Sequence, residues 1–277
     1  MKKALFTFIF AALSLSLAGC GEETSTTDGA NEATSEVSVS KGTVLSADEF
    51  EKMFSDPKKY KGSKVDFYGR IFVEPERDSD GTYLQVFANN NSERNAIIMI
   101  EDPNVDVAMD DIIHVTGTVK DAFEGENAFG GVITAPMILA DSIEKTDYQT
   151  AFAPAKQTIE LNAEQNQHGY KLTVQKVELA DQETRVYVQV ANETNNKIYF
   201  YTFDAKLIAN GKQLEEEMNY DANYPEVQSE LLPGVTTDGI IVFPALEEGV
   251  STFQLYFEGS SDNWEIDFEP FVFDVGM

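Results

Sequence analysis

The sequence predicts an all-β protein with two domains behind an exported N-terminus. Beyond residue 58, apolar and polar residues alternate with a period of two in short runs, and Gly, Pro, Asn and Asp cluster between the runs. This pattern is typical of half-buried strands joined by tight turns. One short stretch, residues 45–54, has the apolar spacing of a helix. About 230 residues follow the N-terminal region, which is enough for two domains with a core each.

The N-terminus has the three parts of a secretory signal peptide. Two lysines precede an apolar run over residues 4–17, and small residues then lead to Cys20. The run is too short to span a bilayer as a mature helix. The sequence Leu-Ala-Gly-Cys resembles the lipobox of bacterial lipoproteins, which implies a diacylglyceryl thioether on Cys20 and removal of residues 1–19. The alternative is an ordinary signal peptide that ends by chance in a cysteine.

A lipid on Cys20 places the protein at the outer face of the cell membrane, in a Gram-positive cell. Two acyl chains contribute on the order of 20 kcal/mol of membrane affinity, so no second anchor is needed. Residues 20–43 are mostly Gly, Ser, Thr, Asn, Asp and Glu, which predicts a flexible tether. Its root-mean-square reach is about 25–30 Å.

Composition excludes several classes of function. The chain has 48 acidic and 20 basic residues, for a net charge of −28, so nucleic acid is not an expected partner. Solubility alone explains such acidity, and attraction of divalent cations or of a basic partner is the alternative. With one cysteine and two distant histidines, we expect no disulfide, no metal site and no cofactor.

The predicted first domain covers residues 44–147. Ser46 and Glu49 have the spacing of a capping box at the start of the short helix, and Pro57 ends it. Five strands with turn signals between them follow, over residues 65–71, 83–87, 96–100, 112–119 and 132–143.

This domain resembles the tRNA-anticodon-binding-like OB-fold family. The resemblance lies in Lys-Tyr-Lys-Gly-Ser-Lys-Val at residues 59–65, Tyr-Gly-Arg-Ile at 68–71 and the runs 110–119 and 133–143. It implies a five-stranded Greek-key barrel that binds ligands on one face through aromatic side chains. The candidate ligand-binding residues are Phe72, Tyr83, Phe123 and Phe129. The alternative is that these four rings belong to the core or to hairpins.

We predict a linker over residues 148–156, because apolar and polar residues do not alternate there and the segment contains Pro154 and several alanines. Alternating strands resume from residue 158, with turn signals at 192–196, Asn210-Gly211 and Pro233-Gly234. Seven or more such strands predict an immunoglobulin-like β-sandwich over residues 157–277. The strand segments are 158–161, 171–179, 185–190, 197–203, 205–208, 239–243, 251–257, 264–268 and 271–275.

The second domain resembles the telokin-like extracellular immunoglobulin-like domain of Gram-positive lipoproteins. The resemblance lies in the runs 190–194, 207–212, 230–234 and 239–244. It implies a sandwich and no catalytic residues. The same domain contains an acidic loop that begins at Glu215-Glu216-Glu217, interpreted as solvated or as a contact for a cation or basic partner. The aromatic run 199–203 is either a strand covered on both faces or an exposed partner surface.

The sequence therefore predicts a membrane-anchored, non-enzymatic binding module whose partner is a protein, peptide or cell-wall glycan. Two alternatives stay open. The first is a carboxylate-based glycan enzyme, which requires an acid–base pair in one cleft. The second is a surface protein that responds to divalent cations through its acidic loops.

Overall fold

The computed structural model describes residues 42–126 and 132–276, and these residues confirm the all-β prediction. They divide into two compact units between Thr146 and Asp147. The predicted signal peptide, nearly all of the predicted tether, the predicted lipidation site Cys20 and the candidate residue Phe129 lie outside the described residues. Within the described ranges, no helix has the length and apolarity needed to cross a bilayer.

The first unit contains one α-helix, one 3₁₀ helix at Pro57–Tyr60 and six strands among its described residues. In chain order they are α1 (Ala47–Met53), β1 (Lys64–Ile71), β2 (Glu76–Arg77), β3 (Thr82–Ala88), β4 (Asn95–Ile100), β5 (Ile112–Glu126) and β6 (Val132–Thr146). The predicted capping box is present. The Ser46 hydroxyl accepts from the Glu49 N–H, and the Glu49 carboxylate accepts from the Ser46 N–H at 3.0 Å.

The five main strands of this unit pair in a ring. β1 is antiparallel to both β5 and β3, β3 is antiparallel to β4, β4 is parallel to β6, and β6 is antiparallel to β5. Phe67, Val86, Ile98 and Val115 point inward to one buried core. Gly69 lies where β1 crosses β3, and a Cβ there would be 2.3 Å from Val86 Cγ1. The close approach of the two strands therefore requires glycine.

The second unit is built from two four-stranded antiparallel sheets. Its elements are α2 (Tyr148–Phe152), β7 (Gln157–Gln167), β8 (Tyr170–Leu179), β9 (Glu183–Asn192), β10 (Ile198–Tyr199), a 3₁₀ helix (Thr202–Asp204), β11 (Lys206–Ala209), β12 (Lys212–Glu215), β13 (Glu230–Leu231), β14 (Thr236–Pro244), β15 (Thr252–Phe257), β16 (Ser260–Ser261) and β17 (Phe271–Gly276). One sheet has the order β14-β9-β8-β7, the other β12-β11-β15-β17, and β13, β10 and β16 form a smaller sheet.

The two larger sheets share one apolar core, as in a β-sandwich. Val188 of β9, Leu207 of β11, Phe243 of β14 and Phe257 of β15 are all buried in it. The predicted turn at Asn210-Gly211 joins β11 to β12, and both residues have positive φ, as a type I′ hairpin turn requires.

Three segments of this unit differ from their sequence predictions. The predicted linker contains α2, whose N-cap is Asp147, and Ala153 after it is buried. In the predicted strand 197–203 only Ile198–Tyr199 is extended in a sheet. The predicted strand 264–268 contains turns, because Asn263 accepts from the N–H groups of Glu265 and Ile266, and Trp264 is 86 % exposed.

Candidate functional site

The outward face of the first unit's strand ring carries the predicted ligand-binding residues. Side chains alternate along β3, so Leu84 and Val86 enter the core while Tyr83, Gln85 and Phe87 face outward. This alternation places two partly exposed aromatic rings and an amide on one strand face.

Strand register extends this face across three neighbouring strands. Gln85 lies beside Ile97 of β4, and Ile97 lies beside Met137 of β6. Phe87 lies beside Asn95, and the ring of Phe72 stacks on Phe87 with centroids 3.8 Å apart and planes 7° from parallel. We call this surface, which also includes Tyr83 and Met99, the outer barrel face.

The structure places Phe72, Tyr83 and Phe123 on that same side of the sheet. Phe123 pairs with Ala135, two residues before Met137 on the same side of β6. All three rings are partly exposed and lie outside the buried core cluster. The Tyr83 hydroxyl lies 3.4 Å from both carboxylate oxygens of Asp78. Burial and this neighbouring carboxylate raise the pKa of Tyr83, so its hydroxyl stays a hydrogen-bond donor at neutral pH.

Two amide oxygens on the outer barrel face are buried without a hydrogen-bond partner among the described residues. Gln85 is only 7 % exposed, and its Oε1 and the Oδ1 of Asn95 are both unpartnered. An unmet buried acceptor costs about 1–3 kcal/mol, so a group that donates to it gains affinity. Gln85 is not among the residues predicted from the sequence, although its place between Leu84 and Val86 in an alternating strand was a usable signal.

A second polar cluster lies on the outward face of the β14-β9-β8-β7 sheet and centres on Arg185. Strand alternation puts Arg185 on the side of β9 opposite to its valines, and the structure buries the residue there to 1 % exposure. Its guanidinium donates to Glu178 at 2.8 and 3.0 Å, to Glu183 at 2.7 Å and to the Ala153 carbonyl at 2.8 Å.

The charges in the Arg185 cluster compensate one another. Burial opposes ionisation of Glu178, but hydrogen bonds from Lys176, Arg185 and Tyr187 outweigh it and lower the pKa of Glu178. Burial likewise opposes the charge of Arg185, and its bonds to Glu183 and Glu178 outweigh that effect and raise its pKa. A carboxylate held ionised in this way is a poor general acid.

Glu183 also holds the acidic loop in place. Its carboxylate accepts from Asn219 Nδ2 at 3.0 Å and from the hydroxyl of Tyr224. The Arg185 cluster thus connects α2, strands β8 and β9 and the loop after β12, and we assign it a structural role.

The two histidines lie in different units. His114 stacks on Tyr68 with ring centroids 4.7 Å apart, and its Nε2 lies 2.7 Å from Asp66. His168 has positive φ in the turn between β7 and β8. Over residues 42–126 and 132–276, no group of three or more His, Cys, Asp or Glu side chains has the geometry to hold a metal ion.

Comparison with protein-family models, curated protein sequences and solved structures returns no match to this chain.

Proposed function

We propose that this protein is an exported lipoprotein that acts as a non-enzymatic binding module at the outer face of the cell membrane. The lipobox-like sequence that ends in Cys20 supports the anchor. The ring of five paired strands supports an OB-fold barrel in the first unit, and the two packed sheets support an immunoglobulin-like sandwich in the second.

One observation carries the proposal of binding: partly exposed aromatic rings lie around the Gln85 amide oxygen, which is buried on the outer barrel face and has no hydrogen-bond partner among the described residues. The Phe72–Phe87 stack and Tyr83 offer flat apolar surfaces, and Gln85 offers an acceptor. A ligand that suits this face has an apolar side and an N–H or O–H donor. Peptides and cell-wall glycans both have these groups, whereas the acidic surplus of the chain disfavours nucleic acid.

The two alternative functions receive less support. A glycan enzyme requires a protonated acid opposite an ionised base. The buried carboxylates of the described residues are Glu178 and Glu183, and both bond to Arg185, which favours the ionised form of each. A response to divalent cations requires several oxygen ligands in one place, and the described residues form no such group.

The anchor is tested by replacing Cys20 with alanine. We expect the wild-type protein to incorporate labelled palmitate and to sediment with membranes, and the Cys20→Ala variant to do neither. A variant that remains as firmly membrane-bound as the wild type would refute the lipid anchor.

The outer barrel face is tested with Gln85→Leu and with the double variant Phe72→Ala/Tyr83→Ala. The probes are soluble peptidoglycan fragments, separated into glycan chains and stem peptides, and titrated calorimetrically. Trp264→Ala is the control, because it removes an exposed ring from the other unit.

We expect Gln85→Leu to raise the melting temperature of the first unit, because it removes an unmet buried acceptor, and to weaken binding of whichever fragment binds. We expect the double variant to weaken binding as well and the control to leave it unchanged. Binding that is unaffected by both changes, or absent for every fragment, would contradict this site.

A further inference from the structure

A pocket of about 230 Å³ lies beside the acidic loop of the second unit, and the ring of its lining residue Tyr224 has its centroid 6.0 Å from the guanidinium carbon of Arg185. Its described wall is formed by four parts of the chain: the 3₁₀ helix that begins at Thr202, the loop after β12, the segment before β13, and β14. The residues that line it are Thr202, Glu216, Glu217, Met218, Asn219, Tyr220, Asn223, Tyr224, Glu226, Val227, Ile240 and Val242.

Backbone hydrogen bonds fix both acidic walls of this pocket against β14. The Glu217 N–H donates to the Val242 carbonyl at 2.8 Å, and the Ile240 N–H donates to the Pro225 carbonyl at 2.9 Å. A Cβ on Gly239 would be 2.6 Å from the backbone nitrogen of Val227, so glycine is required for this close approach. The pocket is therefore formed before any ligand arrives, which lowers the entropy cost of binding.

The pocket contains a carboxylate without a cationic partner among its described lining residues. Glu216 is partly buried, and its pKa is raised because burial penalises its charge and Glu226 repels it, although the Thr202 hydroxyl and the charge of Lys206 oppose this shift. The nearby Lys206 forms its ion pair with Glu215. No lysine or arginine is among the residues that line the pocket. A cation from outside would therefore offset an unfavourable desolvation.

Exposed aromatic side chains lie next to the same pocket. Tyr201 and Phe203, on either side of the lining residue Thr202, are 39 % and 60 % exposed and stack with centroids 5.2 Å apart. Tyr199 continues the stack toward β10. Tyr220, which lines the pocket, is 85 % exposed. Of the two interpretations of the aromatic run, the structure supports the exposed surface, and only Phe200 enters the core.

We propose that this acidic aromatic pocket binds a lysine or arginine side chain from an extended basic peptide segment of a partner protein. The cationic head lies between Glu216 and Glu226, and the aliphatic stem and the neighbouring apolar side chain pack on Tyr201 and Phe203. A divalent cation fits less well, because among the described residues no three His, Cys, Asp or Glu side chains are arranged so that they could hold a metal ion.

The test is a calorimetric titration of the full-length protein at low ionic strength. The probe is an acetylated and amidated peptide of alternating lysine and leucine, and the same peptide with acetylated lysines is its uncharged counterpart. We expect saturable one-to-one binding of the first peptide and none of the second.

Two matched double variants separate this pocket from general electrostatic attraction. Glu216→Gln/Glu226→Gln removes the two pocket charges, and Glu248→Gln/Glu265→Gln removes two exposed charges elsewhere in the same unit. We expect the first pair to weaken binding by about tenfold or more and the second to change it by less than about twofold. Equal weakening by both pairs would refute the pocket, because the attraction would then depend only on net charge.

The aromatic side is tested with Phe203→Ala, which we expect to weaken binding by about two- to fivefold, while Trp264→Ala has no effect. Retention of full affinity in Phe203→Ala would contradict the aromatic contact. Displacement of the peptide by one equivalent of calcium would indicate a metal site and overturn the proposal. Because the pocket and the outer barrel face lie in different units and use different probes, failure here leaves the proposed function untouched.

Discussion

Replacement of Arg185 by methionine removes a cation that bonds to both Glu178 and Glu183. In the wild type, Arg185 donates four hydrogen bonds, three to these carboxylates and one to Ala153. Methionine matches the aliphatic stem of arginine and has no charge. The variant therefore keeps the packing of that stem but no longer compensates the charges of the two carboxylates.

The expected loss of stability is large because, once Arg185 is gone, Glu178 and Glu183 differ in the hydrogen-bond donors that remain to them. Glu178 keeps Lys176 at 2.5 Å and the Tyr187 hydroxyl at 2.9 Å, whereas Glu183 keeps only the neutral donors Asn219 and Tyr224. Removal of one partner from a buried ion pair costs about 3–5 kcal/mol. For a domain of this size that corresponds to a loss of roughly 10–20 °C in melting temperature.

Hydrogen exchange measured by mass spectrometry on the full-length protein is the most direct assay. Peptides from β8 and β9 report on the second unit, and peptides from β3 and β4 of the first unit are the internal control. Because the pKa of Glu178 is lowered in the folded state, its contribution to stability is present above its ordinary pKa of 4.5 and is lost as the pH falls. The deficit of the variant should therefore shrink as the pH is lowered toward 4.

A triple variant, Arg185→Met/Glu178→Gln/Glu183→Gln, separates charge from packing. We expect it to recover most of the lost stability, because no buried charge is then left unpaired. A loss below about 1 kcal/mol in the single variant, typical of an exposed ion pair, would refute the reasoning, as would a deficit that does not depend on pH.

Three further predictions follow from contacts described above. The folded-state pKa of Glu216 lies above its ordinary 4.5, so the stability of the folded protein falls as the pH rises beyond that value. Glu216→Gln should therefore have a higher melting temperature than the wild type at pH 7, and the two should melt at the same temperature near pH 4. A Glu216→Gln variant that melts at the wild-type temperature at pH 7 as well as near pH 4 would contradict the effect of burial. Gly69→Ala should destabilise the first unit by about 1–3 kcal/mol in urea unfolding, while Gly276→Ala, where a Cβ meets nothing, should be neutral. Ser46→Ala should cost about 0.5–2 kcal/mol by loss of the helix cap, and an unchanged urea midpoint would show that the cap contributes nothing.

Local features were predictable because they depend on neighbours in the sequence. The Ser46 capping box, the Asn210-Gly211 hairpin turn and the alternation along β9 each follow from backbone preferences or side-chain period over a few residues. The same logic misassigned residues 264–268, where an alternating pattern was overridden by the turn at Asn263.

The sites needed long-range information. Period-two alternation does not say which residues lie beside Phe72 and Tyr83. The outer barrel face forms only because β1 pairs with β3 and β4 pairs with β6. Alternation also placed Arg185 on an outward face, but only the folding of α2 and the acidic loop over that face buried it.

The sequence by itself determined the all-β class, the helix cap and several turns, and it contains the N-terminal pattern that predicts export and a lipid anchor. Tertiary structure decided which outward-facing side chains are exposed, which are buried, and which carboxylates line a pocket whose lining contains no lysine or arginine. The physical reason is that strand period specifies only the side of a sheet on which a residue lies. What covers that side depends on chain segments that are distant in sequence, such as the loop that places Glu216 beside Glu226.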